Sequence, residues 1–493
     1  MKNLRLFVWI FIFAVLCNVA CDKKDAPSDI PVVSQFVYDG MSMYYLWDEQ
    51  MKSKKPTALD TDPKKYFGSL LYRLDRDKQW SFITDDVNQL LNDFSGEAAR
   101  VIGFAPVVVN WVNRQRTYAV VRYVYPNSPA ERAGLERGNV IWEINGAPIT
   151  EQNSILLLES TGDVTFTVFD QKDRWLMDMS INVPTATRTV KVTPGSFVSN
   201  PVLFSDIYEI DGKKIGYLFY TAYRGNFNNY LFEVFSEFEE AGVTDLVLDL
   251  RYNPGGDVSA AIYLASMIAP KAEVEKRSIF TSMQYNDYVK GTSKFDGNYR
   301  LREYRPGFTD PFRANLDLST VYIIATEFSA SASELTTFCL RPFMNVVHIG
   351  GNTAGKNTAS WTVHAYNDFE GRVQTVFSTS KYTAAEREEL KNWAMQPIVA
   401  QYTDRGGKSF SATVGLIPDH RFDRLYELIP YDWTPIGDTE DYMFAKAISL
   451  ITRQPYRAAT RSISDRQLID TELRSRSEEI RRRAVNLDNI PGL

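Results

Sequence analysis

The chain has 493 residues, which is long enough for two or three domains with a sizeable core. Hydrophobic residues make up 44% and charged residues 24% of it, as in an ordinary globular protein, and a formal net charge of −6 offers no basic surface, so we expect no nucleic-acid partner. Three cysteines are too few for a disulfide framework and the three histidines are scattered, so we expect no metal and no other cofactor.

Residues 1–21 are typical of an export signal. Lys2 and Arg5 precede an apolar run, Leu6 to Leu16, which is too short to predict a transmembrane helix. Small residues then lead to Cys21, and the whole pattern resembles a bacterial lipoprotein signal, which implies a lipid on Cys21. An uncleaved membrane anchor is the alternative. In both cases we expect the folded part to lie in the cell envelope, anchored to a membrane and facing the periplasm or the cell surface.

Residues 22–97 are predicted to form a helical N-terminal region. Apolar side chains recur at helical spacing from Phe36 to Trp47. A second helix is expected after Asp62, because Pro63 suits a first helical turn. We interpret the aromatic side chains of this region as core.

Residues 98–186 carry a short helix between Pro129 and Gly134, followed by a strand and an Asn145-Gly146 turn. This pattern resembles a PDZ domain. The resemblance places a carboxylate-binding loop on residues 102–104 (Ile102, Gly103 and Phe104), where backbone N–H groups would capture the end of a peptide. A PDZ-shaped spacer that binds no peptide is the alternative.

Residues 187–455 alternate between predicted strands and helices, which indicates an α/β domain. We expect this domain to open with a strand at Arg188–Val192. Later elements are a strand at Lys214–Tyr220, a helix at Phe227–Glu240 and a helix at Tyr442–Thr452. Residues 456–493 alternate in charge and predict a solvated helix or a mobile tail.

Two turns of this domain follow apolar runs that predict buried strands. Asp249–Gly256 (DLRYNPGG) contains a proline that ends the strand and two glycines that allow close approach of the backbone. Ser329–Ser333 (SASAS) precedes a helix, so Ser331 with Glu334 could simply be a capping box. Likewise, Lys356 could be a solvated loop residue. Together, however, the turns provide a nucleophile, a base and backbone donors.

Three motifs, Asp249–Gly256, Thr326–Glu334 and Thr353–Thr358, occur in order and together resemble the C-terminal processing, or tail-specific, serine peptidases. The resemblance implies a multidomain α/β protein with a ClpP/crotonase-like serine peptidase core that needs no cofactor. It also implies that Ser331 is the nucleophile and Lys356 the base.

The resemblance further implies an oxyanion hole made by the backbone N–H of Ala332 and that of Gly255 or Gly256.

Two positions depart from the pattern of relatives. Pro342 occupies the place of an acidic residue found in some of them, and Ser360 occupies the place of a glutamine that orients the lysine. Ser360 is therefore the candidate lysine-orienting residue.

These features predict a serine endopeptidase with a Ser-Lys dyad that cleaves protein or peptide substrates near their C-termini in the bacterial cell envelope. Two other classes stay open. One is a weak or inactive peptidase-like lipoprotein that acts as a peptide-binding scaffold. The other is an envelope protein that binds glycans or small ligands.

Overall fold

The fold is described from a computed structural model, for residues 30–96, 101–111, 116–170, 187–292, 296–369, 372–422, 427, 433–455 and 474–475. The predicted signal with Cys21, and all of the predicted tail except residues 474–475, lie outside these ranges. Within them, no helix combines the length and the apolar character needed to cross a bilayer.

The N-terminal region is helical and packs on the catalytic domain. Its elements are α1 (Val32–Tyr44), α2 (Pro63–Leu70), α3 (Arg73–Lys78), a strand β1 (Phe82–Thr84) and α4 (Val87–Ser95). Helix α2 begins at Pro63 as predicted, and the Asp62 side chain caps it by accepting the N–H groups of Lys64 and Lys65. The buried side chains of α1 and α2 belong to the same hydrophobic core as the catalytic domain. The N-terminal region and the catalytic domain therefore share one hydrophobic core.

The PDZ domain is an antiparallel sheet with one short helix. Its elements are β2 (Phe104–Trp111), β3 (Arg116–Val124), α5 (Pro129–Arg132), β4 (Val140–Ile144), β5 (Ala147–Pro148), β6 (Val164–Phe169) and β7 (Arg188–Val192). The strand order is β2-β3-β4-β6-β7, with β5 beside β4.

Strand β7 corrects one prediction. We expected Arg188–Val192 to open the catalytic domain, but it pairs antiparallel with β6, so that Val190 lies opposite Phe166. Val190 and Val192 are buried in the PDZ core, whereas their neighbours are more exposed. Alternation of apolar and polar residues shows that a strand has one buried face, but it does not show which sheet the strand joins. The PDZ domain therefore extends past the predicted boundary at residue 186.

The catalytic domain contains the remaining elements. In chain order they are β8 (Val202–Ile210), β9 (Lys213–Tyr220), α6 (Asn228–Ala241), β10 (Asp245–Asp249), α7 (Val258–Ile268), α8 (Lys271–Glu275), β11 (Ile279–Tyr285), α9 (Asp287–Thr292), β12 (Asn298–Arg300), β13 (Thr320–Ala325), α10 (Ala332–Leu340), β14 (Asn345–Gly350), β15 (Thr358–Ser360), β16 (Val363–His364), β17 (Gln374–Thr375), α11 (Ala384–Leu390), β18 (Ala394–Gln396), β19 (Ile398–Asp404), β20 (His420–Arg421) and α12 (Tyr442–Thr452). One further strand, β21 (Arg474–Ser475), pairs with the free edge of β2.

The main sheet has the order β20-β14-β13-β10-β9-β8 and is parallel except for β8. Strands β10 and β13 are neighbours, with Leu248 opposite Ile323. The carboxyl ends of adjacent parallel strands lie at one edge of a sheet, where ligand sites form. The Asp249–Gly256 turn and the Ser329–Ser333 turn therefore lie side by side.

Two small sheets complete the domain. One has the order β12-β11-β19-β15, and its strand β15 begins two residues after Lys356. The other has the order β1-β18-β16-β17, in which β1 of the N-terminal region pairs with β18. The N-terminal region is thus joined to the catalytic domain by backbone hydrogen bonds as well as by the core.

Candidate active site

Ser331 lies directly before α10, in the tight turn that follows β13. Its φ and ψ angles are 53° and −111°, a combination that non-glycine residues rarely adopt and that costs about 1–3 kcal/mol. The Ser329 side chain fixes this turn, since it donates to Leu250 O at 2.7 Å and accepts from Thr326 N at 2.9 Å. Strain at one buried serine, held by its neighbours, is typical of a functional position.

Glu334 connects the serine turn to the lysine loop. Its Oε2 accepts the backbone N–H of Ser331 at 2.9 Å and that of Lys356 at 2.8 Å. Its Oε1 accepts from Gly355 N at 2.7 Å and from the Thr353 hydroxyl at 2.5 Å. The Glu334 half of the predicted capping box is therefore formed, and the same carboxylate also holds a second segment.

The hydrogen-bond partners of Glu334 suit a carboxylate. Three of its partners are backbone N–H groups, and the fourth is the Thr353 hydroxyl, which also accepts the N–H of Leu416 at 2.7 Å. Burial raises the pKa of Glu334, and the four donors oppose this shift. The three backbone N–H groups can only donate, which favours the ionised form of Glu334.

Lys356 lies in the loop between β14 and β15, where its ammonium group is poorly solvated. Burial lowers the pKa of Lys356 from 10.5 to about 8, although the charges of Asp75 and Glu334 act in the opposite direction. Part of the residue stays accessible. A lysine with this pKa has a substantial neutral fraction near neutral pH, which a general base requires.

Tyr402, on β19, forms a second link between the same two residues. Its hydroxyl lies 3.2 Å from Ser331 O and 3.2 Å from Lys356 O. A phenol has one proton, so the two carbonyl groups share it. The backbone groups of Ser331 and Lys356 therefore meet at both Glu334 and Tyr402.

The glycine turn, residues 253–256, lies against Ser331. Gly255 and Gly256 have φ angles of 107° and 140°, which favour glycine. A Cβ atom on Gly255 would lie 2.9 Å from Ser331 Cβ and 2.9 Å from Ala332 N. Only glycine therefore permits this approach to the start of α10.

The backbone N–H groups predicted to form the oxyanion hole are not equivalent. Gly255 N donates to Asn253 Oδ1 at 2.9 Å, so this group is already occupied. The N–H groups of Gly256 and Ala332 have no acceptor among the residues that the structure describes. Of the two predicted glycines, Gly256 is therefore the one with an available donor.

Arg251 fixes the strand end that carries the glycine turn. It is fully buried, and its Nη1 and Nη2 each lie 2.8 Å from an oxygen of Asp441 at the start of α12. Its Nε lies 2.9 Å from Asp249 Oδ2, which also accepts from the Tyr217 hydroxyl at 2.6 Å. Sequence reasoning missed this pairing. Its signal was a pair of charged residues directly after an apolar strand, where buried charges need partners.

A cavity of about 270 Å³ separates part of the PDZ domain from the glycine turn. Gly103 and Phe104 of the predicted PDZ loop line it together with residues of the glycine turn. The N–H of Ile102 donates to Leu158 O at 2.8 Å, so this third residue of the loop is not free to bind a carboxylate. The PDZ loop thus opens toward the catalytic domain.

Two arginines of the PDZ domain pack beside the glycine turn. The Arg122 guanidinium lies 4.9 Å from the ring centre of Tyr252 and 4.6 Å from that of Phe328. Arg137 donates to the Tyr252 hydroxyl and to Thr434 O, both at 3.1 Å. The PDZ domain therefore contacts residues directly adjacent to both catalytic turns, which sequence reasoning also missed.

The two positions that depart from the family pattern supply no charge to Lys356. Pro342 is exposed beyond the end of α10, and Ser360 is buried at the end of β15, so an orienting role for Ser360 stays a prediction. The acidic groups whose charges reach Lys356 are Asp75 and Glu334. Asp75 belongs to α3, and no pattern in a single sequence connects that helix to the lysine loop.

Cys339 is a buried free thiol that packs in the hydrophobic core as a small apolar side chain does. In the described part of the chain, no group of three or more histidine, cysteine and acidic side chains is arranged to hold a metal ion.

Sequence profiles of three families match the chain. The profile of peptidase family S41 matches residues 214–422, that of the peptidase S41 N-terminal domain residues 33–82, and that of the PDZ domain residues 120–163. Along the chain, the three matches fall in turn on the N-terminal region, the PDZ domain and the catalytic domain.

Curated relatives of this chain include C-terminal processing proteases. A carboxyl-terminal-processing protease of Picosynechococcus is 23% identical over 337 residues, which are 66% of this chain and 65% of the relative. The chloroplastic C-terminal processing peptidase of Tetradesmus obliquus is 23% identical over 317 residues, 62% of this chain and 57% of the relative. The matches thus span less than two thirds of these relatives' own lengths.

Among solved structures, a candidate S41 protease from Bacteroides fragilis shares the fold. Its crystal structure matches with a TM-score of 0.64 at 24% identity, over 85% of this chain and 97% of that chain. The profile matches cover the N-terminal region, the PDZ domain and the catalytic core, and the solved structure shares the fold over most of the chain. The chain therefore belongs to peptidase family S41, in a form that carries a PDZ domain between the N-terminal region and the peptidase core.

Proposed function

We propose that this chain is a serine endopeptidase that uses Ser331 as its nucleophile and Lys356 as its general base. The observation that carries the proposal is the shared oxygen of Glu334, which accepts the backbone N–H groups of both residues at 2.9 and 2.8 Å. Their two nitrogen atoms therefore lie within two hydrogen-bond lengths of each other. Because the pKa of Lys356 is lowered to about 8, part of its amine is neutral near neutral pH, and a neutral amine can activate a serine hydroxyl.

In the acylation half, the neutral Lys356 amine accepts the hydroxyl proton of Ser331 while Oγ bonds to the peptide carbonyl carbon. The oxyanion binds the N–H groups of Ala332 and Gly256, and one such donor is worth about 3 kcal/mol. The C–N bond then breaks as the Lys356 ammonium gives its proton to the leaving amine. The product is an acyl-enzyme on Ser331.

In the deacylation half, a water molecule attacks the ester carbonyl and gives its proton to Lys356. The same two N–H groups bind the second oxyanion. Collapse of this intermediate breaks the bond to Ser331 Oγ, which takes the proton back from Lys356. The carboxyl product leaves, and both residues return to their starting states.

The proposed substrates are proteins or peptides cleaved near their C-termini. The N–H groups of Gly103 and Phe104 would hold the terminal carboxylate. These residues share a cavity with the glycine turn, whose Gly255 lies against Ser331. Both relatives are named for C-terminal processing, which supports this substrate class.

The proposed location is the cell envelope, with a lipid on Cys21 that anchors the chain to a membrane. The support is the basic, apolar and small-residue pattern that ends at Cys21. Cells that express the full chain should incorporate labelled palmitate, and a Cys21→Ser variant should not. An unlabelled wild-type chain contradicts the lipid anchor but leaves the peptidase proposal untouched.

The activity is tested with purified wild type, Ser331→Ala and Lys356→Met. Each is incubated with unfolded proteins that end in a free carboxylate or an amide, and the fragments are identified by mass spectrometry. Only the wild type should cleave, with preference for the free carboxylate, and a fluorophosphonate probe should label it at Ser331.

Undiminished cleavage by either folded variant contradicts the dyad. A wild-type chain that binds peptides but neither cleaves them nor reacts with the probe overturns the peptidase proposal in favour of a scaffold. Circular dichroism of all three proteins separates loss of chemistry from loss of fold.

A further inference from the structure

Arg122, on β3 of the PDZ domain, is buried beside the two catalytic turns, and the proposed mechanism does not use it. The residue is only 6% exposed. Its guanidinium packs on the rings of Tyr252 and Phe328, with centre distances of 4.9 and 4.6 Å. Tyr252 directly precedes the glycine turn, and Phe328 directly precedes the Ser329–Ser333 turn. All three side chains line the cavity of about 270 Å³ that the glycine turn also lines.

The charge of Arg122 lacks a partner. Its Nη2 donates to Pro106 O at 3.1 Å. Its Nε and Nη1 are shielded from solvent and have no hydrogen-bond acceptor, and no acidic side chain forms an ion pair with it, in the part of the chain that the structure describes. Burial lowers the pKa of Arg122, and the charges of Glu427 and Glu327 do not offset this shift. A buried guanidinium with unpaired donors is strongly unfavourable unless a ligand completes it.

The other charged side chains of the cavity are Asp93, on α4, together with Arg224 and Asp257. Arg224 Nη1 donates to Ser199 O at 2.5 Å and to Ser199 Oγ at 2.7 Å. Asp257 Oδ2 accepts a backbone N–H at 2.7 Å, and the positive charge of Arg224 acts on this carboxyl group. Among the described residues, Arg122 is therefore the cation of this cavity whose buried donors await an acceptor.

We propose that Arg122 is a specificity residue that binds a carboxylate of the substrate, namely the side chain of an aspartate or glutamate close to the cleaved bond. The proposal rests on the proposed function and deepens it, because it names the substrate class. In that function the terminal carboxylate binds the N–H groups of Gly103 and Phe104. These residues form another part of the cavity wall, which leaves Arg122 for a second carboxylate.

The surroundings of Arg122 suit this role. A guanidinium binds a carboxylate through two parallel N–H···O bonds, and such charge-assisted bonds are stronger than neutral ones. The rings of Tyr252 and Phe328 pack against the guanidinium without using its donors. Because the bond to Pro106 O is the hydrogen bond that holds the guanidinium, a turn of the side chain presents Nε or Nη1 to the cavity.

The kinetic test uses pairs of peptides that differ only by glutamate or glutamine at one position near the cleaved bond. The wild type should cleave the glutamate peptide with a kcat/KM about tenfold higher, because a hydrogen bond to a charged group is worth more than one to an amide. Arg122→Met should lose this preference. The matched control is Arg132→Met, which removes the same charge from an exposed position of the PDZ domain and should keep it.

Two further measurements keep the test independent of folding and of activity. Arg122→Lys retains the positive charge and should retain part of the preference for glutamate. In the Ser331→Ala chain, fluorescence anisotropy of labelled peptides gives Kd without cleavage. The glutamate peptide should bind more tightly than the glutamine peptide, and adding Arg122→Met should make the two values equal.

Equal preference for glutamate in the wild type and in folded Arg122→Met, or no preference in the wild type, overturns the site. Each peptide is also made with a terminal amide. If Arg122→Met instead loses only the preference for a free terminus, the acidic side chain is overturned as the occupant. A wild-type chain that cleaves nothing, but still binds glutamate peptides more tightly through Arg122, supports the carboxylate site and overturns the peptidase proposal.

Discussion

Ser331 and Lys356 donate their backbone N–H groups to one oxygen atom, Oε2 of Glu334, at 2.9 and 2.8 Å. The helix that follows Ser331 and the loop that carries Lys356 are thus fixed relative to each other by a single carboxylate. A capping box normally stabilises one helix end. Here its acidic residue also sets the distance between two segments that come from different strands of the main sheet.

Replacing Glu334 by glutamine should damage activity much more than the fold. An amide has one acceptor oxygen, and its NH₂ group would face N–H and O–H donors that now bind a carboxylate. The two segments should shift, and a misplacement of about 1 Å costs roughly 10²-fold in rate. We therefore expect kcat of Glu334→Gln to fall about 10²-fold, measured on a peptide with a free C-terminus.

The matched control for this variant is Glu386→Gln. Glu386 belongs to a capping box with Thr383 at the start of α11, where its carboxylate binds the N–H and the hydroxyl of Thr383 in the same segment. Its substitution should leave kcat unchanged. Equal activity of the two variants would show that Glu334 is only a helix cap.

The pH dependence of the wild type should follow Lys356. Its folded-state pKa is about 8, and only the neutral amine can accept the Ser331 proton. The value of kcat/KM should therefore rise with pH and level off above about 8. A profile that rises instead near pH 6 would point to another base.

The same lowered pKa should make Lys356 costly for stability. Below pH 8 the amine is charged in both states, but only in the folded state is it buried. The shift from 10.5 to about 8 corresponds to about 3 kcal/mol at neutral pH. The substitution Lys356→Met should therefore raise the free energy of unfolding by about that amount at pH 7, compared with the wild type. This gain should disappear as the pH rises from 8 to 10.5, because the unfolded lysine then also loses its proton.

Glycine 255 should tolerate no side chain. A Cβ atom there would lie 2.8 Å from Ala330 O and 2.9 Å from Ala332 N, at a φ of 107°. Gly255→Ala should therefore displace the start of α10 and abolish measurable peptide cleavage. Gly242→Ala is the control, since Gly242 has a φ of 72° but no atom within 4 Å of its added Cβ. It should cost only about 1–2 kcal/mol in free energy of unfolding and leave kcat intact.

The sequence predicted the parts of the site that depend on local backbone chemistry. Proline and paired glycines predicted the turn at residues 249–256, and an apolar run with a serine-rich turn predicted the position of Ser331 at a helix start. Helix α12 has the predicted bounds, Tyr442–Thr452. In each case neighbouring residues alone determine the conformation.

Contacts between distant segments were not predictable in this way. Strand Arg188–Val192 was predicted as a strand, but alternation does not name its partner, and it joined the PDZ sheet. Asp75 looked like one charge in a charged helix, yet it is buried and accepts hydrogen bonds from Tyr45 and Ser81. Such pairs depend on how strands and helices are packed together, which periodicity within one segment does not encode.

Arg137 should couple the PDZ domain to the glycine turn. Its guanidinium donates to the Tyr252 hydroxyl, to Thr434 O at 3.1 Å and to Arg122 O at 2.6 Å. The Arg137 guanidinium also packs on the Trp433 ring, 4.3 Å from the ring centre, at the same interface. Arg137→Met keeps most of the side chain's bulk but removes these three hydrogen bonds, and a buried acceptor left unpaired costs about 1–3 kcal/mol.

We therefore expect Arg137→Met to loosen the contact between the two domains beside the active site. Hydrogen exchange of the glycine turn should become faster, and KM for peptides with a free C-terminus should rise, because the cavity between the domains loses its fixed shape. Arg132→Met is the control, since Arg132 is exposed on α5 and its guanidinium donates to Asn127 O within the PDZ domain. If exchange in the glycine turn is the same in both variants, the PDZ domain is not held to the catalytic turns through Arg137.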